Sequence, residues 1–246
     1  MEYIPSNSED AALHKKFHAK NVGGIDIGKA ILARLRENEV WTGGDGSFVA
    51  VVGRKDPSSL RNKAVEVLEV VNAELAAVEI PADTLWSQNA ELEKENRRIQ
   101  EDAEGSSSSA KRTTPSGDRF KMYLYIRGQK CVGACLAERI TEAFLVLGSE
   151  DSNDGKGEAP SDHHSSSISM SDTAEEALLG ISRIWTSNLH RKEGIATALL
   201  ESARSDFLYG MRIAKEKVAF SQPTESGGRL ARKWFDKASG WHVYVD

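Results

Sequence analysis

Residues 180–201 read GISRIWTSNLHRKEGIATALLE, and the fold turns on how this stretch divides. GISRIW holds two isoleucines and a tryptophan, which predicts a strand ending near Trp185. A short polar loop follows. Ile195, Leu199, Leu200, Ala203 and Phe207 then recur at helical steps, predicting a helix over 192–208. At the junction lies Arg191-x-x-Gly194-x-Ala196. A helix N-terminus presents N–H groups without intrahelical partners and the positive end of the dipole. Gly194 and Ala196 have no bulk to hold an anion off the backbone, and Arg191 and Lys192 add charge. The junction therefore suits a pyrophosphate. The competing reading is a plain strand-to-helix turn in which Gly194 only makes the turn.

Outward from this junction the pattern alternates. RFKMYLYI, KCVGACLAERI and EAFLVL within 119–147 predict three strands; KVAFS at 217–221 and WHVYV at 241–245 predict two more, with a helix over 225–236 between them. The order β-β-β-linker-β-α-β-α-β indicates a mixed α/β sheet. Upstream, Ile31, Ala33 and Leu35 alternate with polar neighbours. With Phe48, Val49, Val51 and Val52 across the GGDGS of 43–47, they predict a strand pair. Leu60, Ala64, Val67, Leu68, Val71 and Leu75 predict a helix over 58–78, capped by Ser58 or Ser59. Residues 85–100 read as a charged helix with a thin seam of Leu85, Leu92 and Ile99, fit for a surface or a coiled-coil partner.

The chain has 246 residues, of which 39% are apolar, lean for a compact domain of that length, so some stretches are expected not to fold. Two segments have that composition: 101–118 and the acidic 149–176, which holds eight acids against one lysine. The net charge of −5 thus belongs to a linker. Residues 177–246 carry eleven basic against seven acidic side chains, a mild bias toward an acidic ligand or partner. No apolar run reaches membrane-spanning length. Cys131 and Cys135, four apart on a strand, should point the same way at about 13 Å, too far for a disulfide. Two cysteines in so long a chain fit a reducing compartment. They read as buried core and not as an acyl carrier, since no histidine flanks them.

The strand–RxxGxA–helix unit resembles the coenzyme A loop of the GNAT acetyltransferases. GISRIW, the RKxxIA of 191–196, RSDFLY at 204–209 and AFSQPTESGG at 219–228 resemble, more narrowly, the cohesion-establishment N-acetyltransferases. The likeness covers 177–246 closely and 119–147 more thinly. It implies a GNAT fold, a mixed central sheet flanked by helices, with an N-terminal β-hairpin and helix appendage over 25–100 and the acetyltransferase domain over 119–246. It further implies a nuclear, chromatin-bound enzyme that uses acetyl-CoA. The acceptors would be lysines on the ATPase head of a cohesin SMC subunit, with a sliding-clamp contact made through a region not in this chain. His14 and His18 resemble the second half of the family's zinc finger, spanning 1–24 here. No Cys pair precedes them, as in a chain starting just after that pair. Two histidines do not close a four-ligand zinc site, so no metal is expected here.

The resemblance also assigns residues. Ile184, Trp185 and Thr186 would contact acetyl-CoA, with a backbone N–H near Trp185 facing the thioester carbonyl. Arg191, Lys192, Glu193, Gly194, Ile195, Ala196 and Thr197 would surround the pyrophosphate, and Thr224, Glu225 and Ser226 would add contacts. For catalysis it points to Ser182, to Glu201, and to a position that is an aspartate in animal members but is Gln222 here. Glutamine orients but takes no proton, so the lysine proton must leave through Ser182, Glu201 or solvent. A non-catalytic acyl-CoA-binding or nucleic-acid-binding module is the reading this departure keeps open; nucleic acid is not required by the family resemblance.

Overall fold

The computed structural model describes residues 22–88, 117–148 and 169–245. His14, His18, the seam beyond Gln88 and most of both expected insertions lie outside the described residues.

The chain enters through β1 (Ile25–Asp26) and α1 (Lys29–Glu37), then a hairpin of β2 (Glu39–Thr42) and β3 (Phe48–Val52). Helices α2 (Ser58–Leu75) and α3 (Ala82–Leu85) follow. Next come β4 (Phe120–Arg127), β5 (Lys130–Arg139), β6 (Glu142–Val146), β7 (Met170–Glu176) and β8 (Leu179–Thr186). The last part is α4 (Ile195–Asp206), β9 (Val218–Ser221), α5 (Glu225–Phe235) and β10 (His242–Tyr244).

Four expectations need correcting. Ile31, Ala33 and Leu35 lie on α1 and not on a strand. Leu35 is buried, with Ile31 and Leu32 packed against the same cluster. Those three positions follow a helical step, and that period outweighed the short alternation. The hairpin pairs one strand later, although the glycine-rich turn stands where expected. The cap of α2 is Pro57, with no side-chain cap bond, and not Ser58 or Ser59. The acidic segment ends in a strand: β7 pairs along β6, from Glu142 with Glu176 to Val146 with Met170. Its residues are mostly exposed, so its sequence carries little apolar signal, and backbone pairing supplies the order. Finally, the hairpin is no appendage. The sheet order β2-β3-β4-β5-β8-β9-β10-β6-β7 is continuous, with β3 antiparallel to β4.

The sheet separates two apolar layers. One holds α2 through Leu60, Ala64, Val67, Leu68 and Val71. The other holds α4 and α5 through Ile195, Leu199, Leu200, Ala203, Ala231 and Trp234. Gly133 of β5 sets how closely α4 approaches. A Cβ there would lie 2.5 Å from Ile195 Cγ2 and 3.2 Å from Leu199 Cδ1.

Both cysteines are buried free thiols, but they face opposite layers. The β4–β5 register slips between Tyr125 and Ile126, which leaves Val132 as an extra residue. Val132 and Gly133 therefore both face α4, and the alternation restarts, turning Cys131 to the α2 side and Cys135 to the α4 side. Burial pushes both thiols up to about 12.

Two outcomes follow. Gly133→Ala should cost about 1–3 kcal/mol in urea denaturation through overpacking on Ile195, and less in an Ile195→Ala background; equal cost in both would reject the close packing. Only the thiolate reacts, and it forms in these sites only at far higher pH. At pH 8 a disulfide reagent should therefore modify neither cysteine of the native protein, and both after unfolding.

Candidate active site

Strands β8 and β9 run parallel, and their pairing is short: Leu179 with Val218, Gly180 with Ala219, Ile181 with Phe220. Beyond Ile181 the β8–β9 ladder stops, while β8 continues beside β5 to the pair of Thr186 with Gly133. The sheet thus splits at one point, at the C-terminal ends of two parallel strands whose following helices, α4 and α5, lie on the same face. That is where open α/β sheets hold ligands.

At the split the β5–β8 register slips between Leu136 and Ala137, so Ser182 is the extra residue of a bulge. The consequence shows in the alternation. Ile181 and Ile184, three apart, both face α4, and Trp185 faces α2. A bulge re-aims side chains and interrupts pairing, and this one does so at the expected catalytic serine. Ser182 is buried, and Arg183 Nη1 donates both to its Oγ at 3.1 Å and to its carbonyl at 2.8 Å.

The loop after β8 makes a short 3-10 turn at Asn188–His190, held by the Ser187 hydroxyl at 2.7 Å from His190 Nδ1. Ser187 N also donates to the Val132 carbonyl at 2.9 Å, prolonging the β5 contact. Helix α4 starts at Ile195, later than the sequence predicts. Gly194 is its N-cap, left-handed at φ 83°, with no side-chain cap bond. Lys192 is left-handed as well, at φ 67°. A lysine in that region is uncommon and strained, and such strain concentrates at functional loops. Residues 191–194 are exposed at the helix N-terminus, where backbone amides without intrahelical partners are of the kind that can receive an anion. Ile195 is buried under the loop, Ala196 is half-buried and Thr197 is exposed. The Glu193 carboxylate turns to Arg127 of β4, 2.5 Å away, and Arg127 also meets Asp45 of the hairpin turn at 3.2 Å.

The remaining expected residues fall in two places. Gln222 is exposed just past β9, across the split from Ser182. Thr224 is the N-cap of α5, its hydroxyl accepting from Gly227 N at 3.3 Å, and Glu225 and Ser226 open that helix, with Glu225 paired to Arg229 at 2.7 Å. Glu201 is held elsewhere. Its carboxylate accepts from Arg204 at 3.0 Å, Arg212 at 2.7 Å and the Trp234 indole at 2.9 Å. Burial pushes its carboxyl up, but the Arg212 bond, the Arg204 charge and the Trp234 bond outweigh that and hold it below the usual value. A carboxylate so stabilised is a weak proton acceptor.

Sequence reasoning missed Glu74 on α2. Its carboxylate accepts from the buried Trp185 indole with one oxygen and from Arg191 with the other, at 2.8 Å. The signal was present: Glu74 stands seven residues after Val67 and three after Val71, a charge inside an apolar stripe. Arg127 and Asp45 carried no such mark, because their partners come from distant parts of the chain.

Comparison with known proteins matches this geometry. The sequence profile of the ESCO1/2 acetyl-transferase family fits residues 175–244. The N-acetyltransferase eso1 of Schizosaccharomyces pombe is 31% identical over 234 residues, 95% of this chain but 22% of that protein. The N-acetyltransferase ECO1 of Saccharomyces cerevisiae is 27% identical over 95% of this chain and 80% of its own length. The chain thus spans about a fifth to a third of the fission-yeast and vertebrate relatives and most of the budding-yeast one. Among solved structures, the xEco2 acetyltransferase domain bound to a K105-CoA conjugate aligns with a TM-score of 0.59 at 28% identity, over 84% of this chain and 96% of that one. The expected fold, a mixed central sheet flanked by helices, is the one observed. With the split sheet, the bulged serine and the RKxxIA loop inside the matched segment, residues 175–244 carry the acetyl-transferase domain of the ESCO1/2 family.

Proposed function

We propose that this domain transfers acetyl from acetyl-CoA to lysine amines on the ATPase head of a cohesin SMC subunit, acting in the nucleus on chromatin. The observation that carries the reading is the split between β8 and β9, with Ser182 in a bulge at its apex and the loop of left-handed Lys192 and Gly194 at its mouth. The solved xEco2 acetyltransferase domain bound to a K105-CoA conjugate supports the same two-substrate chemistry. In this reading the pyrophosphate rests on the amides at the start of α4, and the pantetheine runs along β8, which β9 has left. Ile184, Trp185 and Thr186 line its thioester end, and the N-terminus of α5, with Thr224, Glu225 and Ser226, closes the far side. When bound, acetyl-CoA supplies an activated carbonyl.

The neutral amine nitrogen attacks that carbonyl and forms the C–N bond, the C–S bond breaks, the nitrogen gives up one proton to become the amide, and the departing CoA thiolate takes one up. A lysine is protonated at pH 7, since its reference pKa is about 10.4, so a proton must leave first. Ser182 is the buried polar group at the apex. Gln222, exposed opposite, can orient the amine through its amide oxygen but takes no proton. Glu201, held by two guanidiniums, acts through the α4–α5 packing and not as the base.

Acetylation of a cohesin-head peptide by the purified protein tests the reading; binding of acetyl-CoA without transfer would favour a non-catalytic acyl-CoA module. Gly194→Asp should weaken acetyl-CoA binding tenfold or more in calorimetry, about 1.4 kcal/mol. Gly194→Asn, of similar size and tolerant of the left-handed backbone, should bind considerably better; equal loss in both would attribute the effect to backbone strain and not to charge at the phosphate. Ser182→Ala should lower kcat by roughly 10²- to 10⁴-fold with little change in the KM for acetyl-CoA, and retention of more than about a tenth of the rate would remove Ser182 from proton transfer.

A further inference from the structure

We infer that Glu74, outside the 175–244 segment that defines the family, is a positioning residue for acetyl-CoA, and that Arg191 serves the phosphate loop as a strut and not as a phosphate ligand. The inference rests on the reading that the loop opening α4 holds the pyrophosphate.

Glu74 occupies the last turn of α2, on the stripe that packs against the sheet. Its side chain is 17% exposed. Trp185 is 3% exposed, and its one polar atom, the indole N–H, requires an acceptor at that depth. Glu74 supplies it with one oxygen. The second oxygen takes Arg191 Nη2 at 2.8 Å, while Arg191 Nε lies 3.4 Å from the carbonyl of Thr186. One carboxylate thus fixes the last part of β8 and the first residue of the loop together. A neutral acceptor would satisfy the indole alone; only a second, charged oxygen also captures the guanidinium. The Arg191 charge is spent on Glu74 and Thr186, so the anion site is left to the backbone amides of 192–195 and to Lys192, whose ammonium is exposed.

The test separates the two oxygens. Glu74→Gln keeps an acceptor for the indole and removes the ion pair; Glu74→Ala removes both. In ¹⁵N spectra of the ligand-free protein, the Trp185 indole resonance, identified by its loss in Trp185→Phe, should shift strongly in Glu74→Ala and weakly in Glu74→Gln. In calorimetry, Glu74→Gln and Arg191→Ala should each weaken acetyl-CoA binding about three- to fivefold, the range of a half-exposed ion pair. The double variant should be no weaker than either single one, because both break the same pair. In steady-state kinetics the loss should fall on the KM for acetyl-CoA and not on kcat. Weaker binding in Arg191→Ala with equal or tighter binding in Glu74→Gln would overturn the inference, making Arg191 a phosphate ligand for which Glu74 competes. Additive losses in the double variant would overturn it too. Gly194→Asp is the control. If it binds as tightly as wild type, the pyrophosphate placement has failed and the inference falls with it. If it binds weakly while Glu74→Gln does not, the inference alone has failed.

Discussion

Everything functional in this fold depends on β8 losing one neighbour partway along its length. Three residue pairs join it to β9, and then the two strands diverge. A sheet strand released on one side normally presents a row of polar backbone groups, a liability that proteins cover or use. Here the release occurs at the C-terminal ends of parallel strands, between two helices on one face. The exposed strand edge, the start of α4 and the start of α5 then converge. The Ser182 bulge is the local counterpart of that divergence. An extra residue in β8 adds twist, ends the alternation of Ile181 and lets Trp185 turn to the opposite layer. Divergence, serine placement and tryptophan placement are one structural event.

Two layers then hold the mouth of the split from opposite sides. From the α4 face, Gly133 lets Ile195 and Leu199 sit on the sheet without an intervening Cβ, so the helix N-terminus comes close to β5. From the α2 face, Glu74 reaches through to Trp185 and Arg191. Arg127, bridging Asp45 and Glu193, adds a third hold from the hairpin. Each such pair is partly exposed and worth little by itself. Their effect lies in geometry: the loop between them carries two left-handed residues, and these charged side chains tie it to α2 and to β4.

The sequence made the β8–loop–α4 unit readable because three independent signals coincided there: branched residues for the strand, a small-residue junction, and a helical stripe from Ile195 to Phe207. It misled where signals were short or absent. Ile31 and Leu35 fit a helix and a strand about equally over so few residues, and burial of Leu35 against α2 decided for the helix. Residues 170–176 have no apolar pattern at all; β6 makes them a strand through the backbone, which composition does not encode. Both bulges were invisible, since a bulge is a slip between partners and not a property of one strand. That is why Cys131 and Cys135 were expected on one face. The placement of Ser182 and the RKxxIA residues on one strand–loop–helix unit was legible, whereas the contacts of that unit with Glu74 and Arg127 link residues 111 and 66 apart.

The proton remains the sharpest constraint on the chemistry. Glu74 and Glu193 are each bound to a guanidinium, and Glu201 is bound to two. Glu201, held below the usual carboxylate value by the Arg212 bond and the Arg204 charge against its burial, has little drive to accept a proton. With glutamine at 222, the site keeps polar groups at the split but has no free carboxylate among these positions. Ser182 Oγ, already accepting from Arg183, sits beside a positive charge. A cation there works against a lysine ammonium and for a neutral amine, since like charges disfavour the protonated form. The electrostatics of the apex therefore fit the proposed order in which the amine sheds its ammonium proton to solvent before binding and Ser182 orients it and relays the proton released as the amide forms, rather than abstraction by a strong base within the site.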